Sequence, residues 1–195
     1  MGLDSVELLI TFEKEFGLEV TDYDAGEMAT VGDVATWFHT HLVNSNDNDK
    51  TKTELQNKIY QAINKIGLSP NFKVTDSVNT VFEKQNLSQN WEEFQLALNL
   101  NIPKPNRYDL EDKIEKSKGI RKLFIKKRSA LTSYSFERLI EWIGALNYKK
   151  LLESNDGYSL FDVFITVIYL THDTSGVNID EIFWDSSFTN DLGID

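Results

Sequence analysis

The chain has 195 residues, 41% hydrophobic and 12% aromatic, enough for one or two domains with a real core. No cysteine is present, which removes disulfides, thiolate zinc sites and cysteine nucleophiles and makes a reducing cytoplasm the expected setting. The net charge of −11 is uneven: residues 1–50 carry 11 acids and 2 bases, residues 51–150 carry 11 acids and 18 bases, and residues 151–195 carry 9 acids and no Lys or Arg.

The first dozen residues form a polar turn that passes into an apolar, helix-forming run. Asp4 can cap that helix, and Glu7 three residues on completes a capping-box pattern with Asp in the usual Ser/Thr position. Ser5 then lies at a helix start, where unpaired N–H groups and the positive end of the macrodipole favour an anion. Val6, Leu9, Ile10 and Phe16 fall on roughly one face.

Thr30 to Leu42 reads as a helix with a cap at Thr30, an acid at Asp33 and an apolar face of Val31, Val34, Ala35, Phe38 and Leu42. Residues 44–51 are a polar linker and the clearest boundary in the chain. Thr53 with Gln56 opens another helix, with Leu55, Ile59, Ile63 and Ile66 on its face and Gly67 as its stop. Leu160 to Leu170 is a further helix, very apolar but too short to span a membrane. The N-terminus lacks a basic region followed by an apolar stretch, so no signal peptide is expected.

An internal repeat follows from a shift of 105 positions. It sets Leu160 on Leu55, Phe164 on Ile59, Ile168 on Ile63, Leu192 on Leu87 and Asp195 on Asn90. The same shift sets Thr30 on Ser135, Val34 on Leu139 and Trp37 on Trp142. Residues 51–150 then form a unit of their own, with an insert at 104–133 rich in bases: Lys113, Lys116, Lys118, Arg121, Lys122, Lys126, Lys127 and Arg128. These bases interleave with Ile120, Leu123, Phe124 and Ile125, so the insert is either a solvated helix face or a surface for nucleic acid, anionic lipid or an acidic protein.

Other chemistry is sparse. His39 and His41 are two apart and do not share a helix face, and His172 stands alone, so no metal site is expected. Asp22, Asp24 and Glu27 read as a solvated acidic helix start. No serine–histidine–acid set and no Gly-rich phosphate loop emerges, which argues against an enzyme.

The Gly2-Leu3-Asp4-Ser5-Val6-Glu7 stretch resembles the attachment site of the acyl carrier protein family. Residues 13–20 and 30–38 resemble the segments that follow that site, so residues 1–43 resemble the second half of a carrier domain. Residues 155–195, ending in Phe188-Thr189-Asn190-Asp191-Leu192-Gly193-Ile194-Asp195, resemble the first half. The order is permuted, with the cut at the serine.

The resemblance implies an all-α fold of two acyl-carrier-like four-helix bundles. One is assembled from 1–43 and 155–195, within a chain or by domain swapping in a homo-oligomer. The other, 51–150, is a degenerate copy in which Trp91 stands where Ser5 would be. It further implies 4'-phosphopantetheine on Ser5 beside Asp4, an acyl or similar cargo held as a thioester, and a phosphopantetheinyl transferase and acyl-chain processing enzymes as partners. Glu7, Glu13 and Glu15 would be docking acids, matched by Lys118, Arg121, Lys122 and Lys126. Neither nucleic acid nor a membrane span is expected. Asp76-Ser77-Val78 echoes the attachment tripeptide but lacks the preceding Leu-Gly, and Ser77 reads as a cap. The alternative function is a non-acylated docking module built on the same fold.

Overall fold

A computed structural model describes residues 3–110, 129–153 and 156–195. Among these residues the fold is all-α, with nine α-helices, several single turns of other helix types, isolated bridges and no strand. No described helix is long and apolar enough to cross a membrane.

The chain divides into a terminal unit, residues 1–56 with 141–195, and a central unit, residues 57–140. The division falls inside two helices, so residues 51–56 and 141–150 belong with the chain ends rather than with the middle piece marked out by composition. The charge asymmetry follows the same line. The terminal unit carries 22 acids and 5 Lys or Arg, and the central unit carries 9 acids and 15.

In the terminal unit, α9 (Leu160–Ser175) packs against both α1 (Leu3–Phe16) and α3 (Val31–His41). A capping box of Ser159 and Asp162 starts α9, and both residues are buried. Val163, Ile165, Val167 and Ile168 of α9 are fully buried, as expected for a helix that is apolar all round. The face of α1 turned to the core is Leu8, Phe12 and Phe16, spaced i, i+4, i+8. Phe12 and Phe16 meet Phe38 of α3 with ring centroids 6.2 and 4.6 Å away. Val6 and Ile10 are instead 40% and 42% exposed, which corrects the face expected from the sequence. They form a second i, i+4 apolar stripe, and periodicity alone cannot choose between two such stripes.

Two corrections concern the start of α1. Leu3 is already helical, so Asp4 is a first-turn residue and not the cap. The expected capping box with Glu7 therefore does not form. By contrast, α3 does start on a capping box, with the Asp33 N–H donating to Thr30 Oγ1 (3.1 Å) and the Thr30 N–H to Asp33 Oδ2 (2.8 Å).

The start of α3 is stapled to the C-terminal segment by backbone hydrogen bonds. Phe188 N–H donates to Ala29 (3.2 Å), Val31 N–H to Ser186 (3.1 Å) and Gly32 N–H to Trp184 (2.7 Å). The Trp184 indole lies close against Gly32: a Cβ there would sit 2.5 Å from the nearest ring atoms. Only glycine permits that approach.

The central unit repeats this staple at the start of α7 (Phe136–Leu146). Val78 N–H donates to Tyr134 (2.9 Å), Phe136 N–H to Asp76 (3.0 Å) and Glu137 N–H to Val74 (2.8 Å). Matching donors to acceptors sets Thr30 on Ser135, the shift of 105 expected for α3 and α7. The same matching sets Trp184 on Val74 and Phe188 on Val78, a shift of 110. α9 and α4 (Lys50–Lys65) also match at 110, both 16 residues long. The shift of 105 for the C-terminal piece is therefore corrected by five residues.

Asp109 organises the rest of the central unit. Its buried carboxylate accepts from the N–H groups of Asn106, Leu131 and Thr132 and from the Thr132 hydroxyl, at 2.7 to 3.0 Å. Four donors on one buried carboxylate offset its desolvation and hold α6 (Arg107–Leu110) to the turn at 131–133.

Candidate functional site

Ser5 is the third residue of α1 and half-buried. Its N–H donates to the Asp195 carbonyl at 3.1 Å. This bond supplies an acceptor to one of the first-turn N–H groups that a helix cannot satisfy internally.

The residues that bring Asp195 there are legible one by one. Ser187 Oγ accepts from the Asn190 N–H (3.2 Å), and the Ser187 N–H donates to the Asp191 carboxylate (3.0 Å). These bonds start a π-helical turn over Phe188–Leu192. Gly193 then turns the chain with φ of 70°, the left-handed region that glycine enters without steric cost. Ile194 is buried and its N–H donates back to Phe188 (2.9 Å). The segments Asp191-Leu192-Gly193-Ile194-Asp195 and Asp4-Ser5-Val6-Glu7 thus meet at one backbone junction.

Beneath the junction lies a cavity of about 520 Å³ that Ser5 helps to line. Its apolar walls are Leu8, Leu9 and Phe12 of α1, Val34 of α3, and Phe188 and Ile194 of the C-terminal segment. The stretch Ala25–Ala29, which overlaps the end of the short helix α2 (Asp22–Glu27), contributes mainly small side chains. Nothing in the sequence signalled that stretch, because Ala and Gly on a short acidic helix have no periodic pattern. Leu8 was signalled by its i, i+4 spacing with Phe12, and the stronger exposed stripe obscured it.

The other expected site residues are spread over different surroundings. Asp4 and Glu7 are exposed and line a second, smaller cavity of about 130 Å³ with the end of α9. Glu13 is half-buried, and its carboxylate accepts the Val20 N–H at 2.7 Å, which ties down the turn after α1. Glu15 is exposed and lies beside Tyr148 of α8 (Tyr148–Leu152). Burial, with the charge of Glu15 added to it, pushes the Tyr148 hydroxyl well above its ordinary pKa. Lys118, Arg121, Lys122 and Lys126 lie outside the described residues.

Ser77 donates its hydroxyl to the carbonyls of Ser133 (2.8 Å) and Thr132 (3.3 Å), and makes no side-chain cap bond. Trp91 is buried in α5 (Leu87–Leu98), and its indole N–H donates to the Pro103 carbonyl at 3.0 Å. α1 and α5 both end on a left-handed residue, Gly17 at φ 67° and Asn99 at φ 55°. Aligned there, Phe12 meets Phe94 and Phe16 meets Leu98, all four buried. The counterpart of Ser5 is then Leu87, and Trp91 is the counterpart of Leu9. The equivalence of Trp91 with Ser5 is corrected by four residues, because a single helical turn at Lys84–Asn86 precedes α5 and carries no sequence period.

The histidines are occupied locally. His39 Nε2 contacts the Asn46 carbonyl, His41 stacks on Trp37 at 4.0 Å, and His172 Nδ1 contacts the Val177 carbonyl. Among the described residues no group of three or more His, Asp or Glu side chains could hold a metal ion. Chemically, the site offers a half-buried serine at a helix start, beside a space lined by both apolar and polar residues. No protein-family model matches the chain, and no solved structure matches it.

Proposed function

We propose that the chain is a carrier of the acyl-carrier type, in which Ser5 receives 4'-phosphopantetheine and the arm holds an acyl or similar intermediate as a thioester. The observation that carries this reading is the backbone junction of Ser5 with Asp195, directly over the apolar cavity. A serine half-exposed in the first turn of a helix suits a modifying enzyme, which needs both access to the hydroxyl and a rigid backbone around it.

When bound, the arm would supply a terminal thiol. The residues of this chain would orient its attachment point and offer an apolar space to an aliphatic cargo. A phosphopantetheinyl transferase and enzymes that process acyl chains would be its partners. The acidic character of the terminal unit, 22 acids against 5 bases, suits partners with basic docking surfaces.

Intact mass after incubation with coenzyme A and a phosphopantetheinyl transferase tests the reading. The expected result is a gain of one phosphopantetheine group. An unchanged mass would favour a docking module without cargo, a reading that the exposed pair Val6 and Ile10, flanking the acid Glu7, also suits.

A further inference from the structure

The first N–H groups of a helix need acceptors from outside it, and the two units supply one differently. In the central unit the chain feeds its own helix: the Leu87 N–H donates to the Lys84 carbonyl, one turn earlier in sequence. In the terminal unit the counterpart N–H, that of Ser5, donates to Asp195, which is remote in sequence. A covalent lead-in is thus replaced by a contact that can open.

The segment that makes this contact is lightly held. Phe188 is stapled to Ala29, but beyond it the chain bonds back on itself. The Asp191 and Leu192 N–H groups donate to Ser187, and that of Ile194 to Phe188. Ile194, 3% exposed, is the anchor of the segment. Yet Ile194 lines both the cavity of about 520 Å³ and the one of about 130 Å³. A segment that borders two spaces forgoes packing contacts, and such segments open more readily than the rest of a fold.

Resting on the carrier reading, we infer that residues 189–195 are a detachable hook that regulates Ser5, which accepts the arm only while the hook is seated. Seated, the Asp195 carbonyl holds the Ser5 N–H, and the first turn of α1 presents the hydroxyl in one orientation. Released, that N–H loses this acceptor, the turn frays, and the hydroxyl has no fixed place. The transfer itself is the ordinary one. Ser5 Oγ attacks the phosphorus next to pantetheine in coenzyme A, the diphosphate bond breaks, the adenosine bisphosphate leaves, and the serine proton passes to a base of the transferase. Gly193 and Ile194 are positioning residues for that step.

The test uses the full chain with coenzyme A and a phosphopantetheinyl transferase. It reads the kinetics of arm transfer beside hydrogen exchange at the Ser5 amide. Gly193 is exposed at φ 70°, and a Cβ there would meet nothing within 4 Å, so Gly193→Val strains the turn without touching the core. It should lower kcat/KM about fivefold or more and speed Ser5 exchange by a similar factor. Gly193→Asn, which tolerates the left-handed region, should keep most of the rate. Ile194→Asp should lower kcat/KM about tenfold or more, with Ile194→Val close to the parent chain. If Ile194→Asp loses helical signal, the Gly193 pair decides. Transfer to Gly193→Val at the parental rate, or slowed transfer with Ser5 exchange unchanged, overturns the inference alone. A parent chain that takes no arm overturns the carrier reading as well.

Discussion

In the terminal unit Leu9 borders an open apolar space, and in the central unit its counterpart Trp91 is buried against Phe82 and Phe94. The backbone frames around these two positions agree closely. Each starts a long helix on the same three-bond staple, made by Ala29, Val31 and Gly32 in one unit and by Tyr134, Phe136 and Glu137 in the other. Even the left-handed ends of α1 and α5 correspond. The difference teaches that matching backbone frames can border an open space in one unit and carry a buried tryptophan in the other. The staple bonds, by contrast, are common to both units and hold the start of each of the two helices.

The largest effect should come from removing half of the terminal frame. α1 and α3 both pack on α9, most of whose residues are buried. Truncation after residue 155 should melt both helices, and adding back a peptide of residues 156–195 should restore their far-ultraviolet circular dichroism. Persistence of folded α1 and α3 without α9 would break the comparison, because the terminal frame would then not need its second half.

Next comes the closed cavity. Trp91→Ala should destabilise the central unit by about 3–5 kcal/mol, the cost of emptying a large buried aromatic site. Chemical denaturation followed by fluorescence measures it. A loss below about 1 kcal/mol would mean that Trp91 is not what fills the frame.

A smaller effect is expected at the staple itself. Gly32→Ala places a methyl against the Trp184 indole and should cost about 1–3 kcal/mol through overpacking. The central counterpart, Glu137, already carries a side chain, so only the terminal unit has this constraint. Thermal unfolding of the variant reads the cost directly.

The smallest effect distinguishes the two caps. Thr30 takes part in a full capping box, whereas Ser135 accepts one long bond from the Arg138 N–H at 3.4 Å. Thr30→Ala should cost about 1 kcal/mol and Ser135→Ala less, in line with ordinary cap losses. The reverse order, in paired thermal melts, would show that the bond lengths do not report the cap strengths.

Much of this organisation is legible in the residues. The cap at Thr30 with Asp33 and the apolar run at Leu160–Leu170 rest on local pattern, the pairing of Thr30 with Ser135 on a constant offset, and the all-α class on the family resemblance. What was not legible depends on partners distant in sequence. The choice of Leu8, Phe12 and Phe16 over Val6 and Ile10 is made by α9, which arrives from the other end of the chain. Asp4 reads as a cap because the sequence does not show that Leu3 is already helical. The register of Trp91 slipped because the short turn before α5 has no periodic signal. Glu13 reads as a surface acid, yet its carboxylate ties down the Val20 N–H.

The central claim is that Ser5, set at the junction with Asp195, is the attachment point of an arm. Its most direct test is peptide mass mapping of the chain after incubation with coenzyme A and a phosphopantetheinyl transferase, alongside Ser5→Ala and Ser77→Ala. The account predicts one phosphopantetheine on the peptide that contains Ser5, none on Ser5→Ala with its helical signal retained, and full modification of Ser77→Ala. An arm that persists on Ser5→Ala and disappears from Ser77→Ala would contradict it.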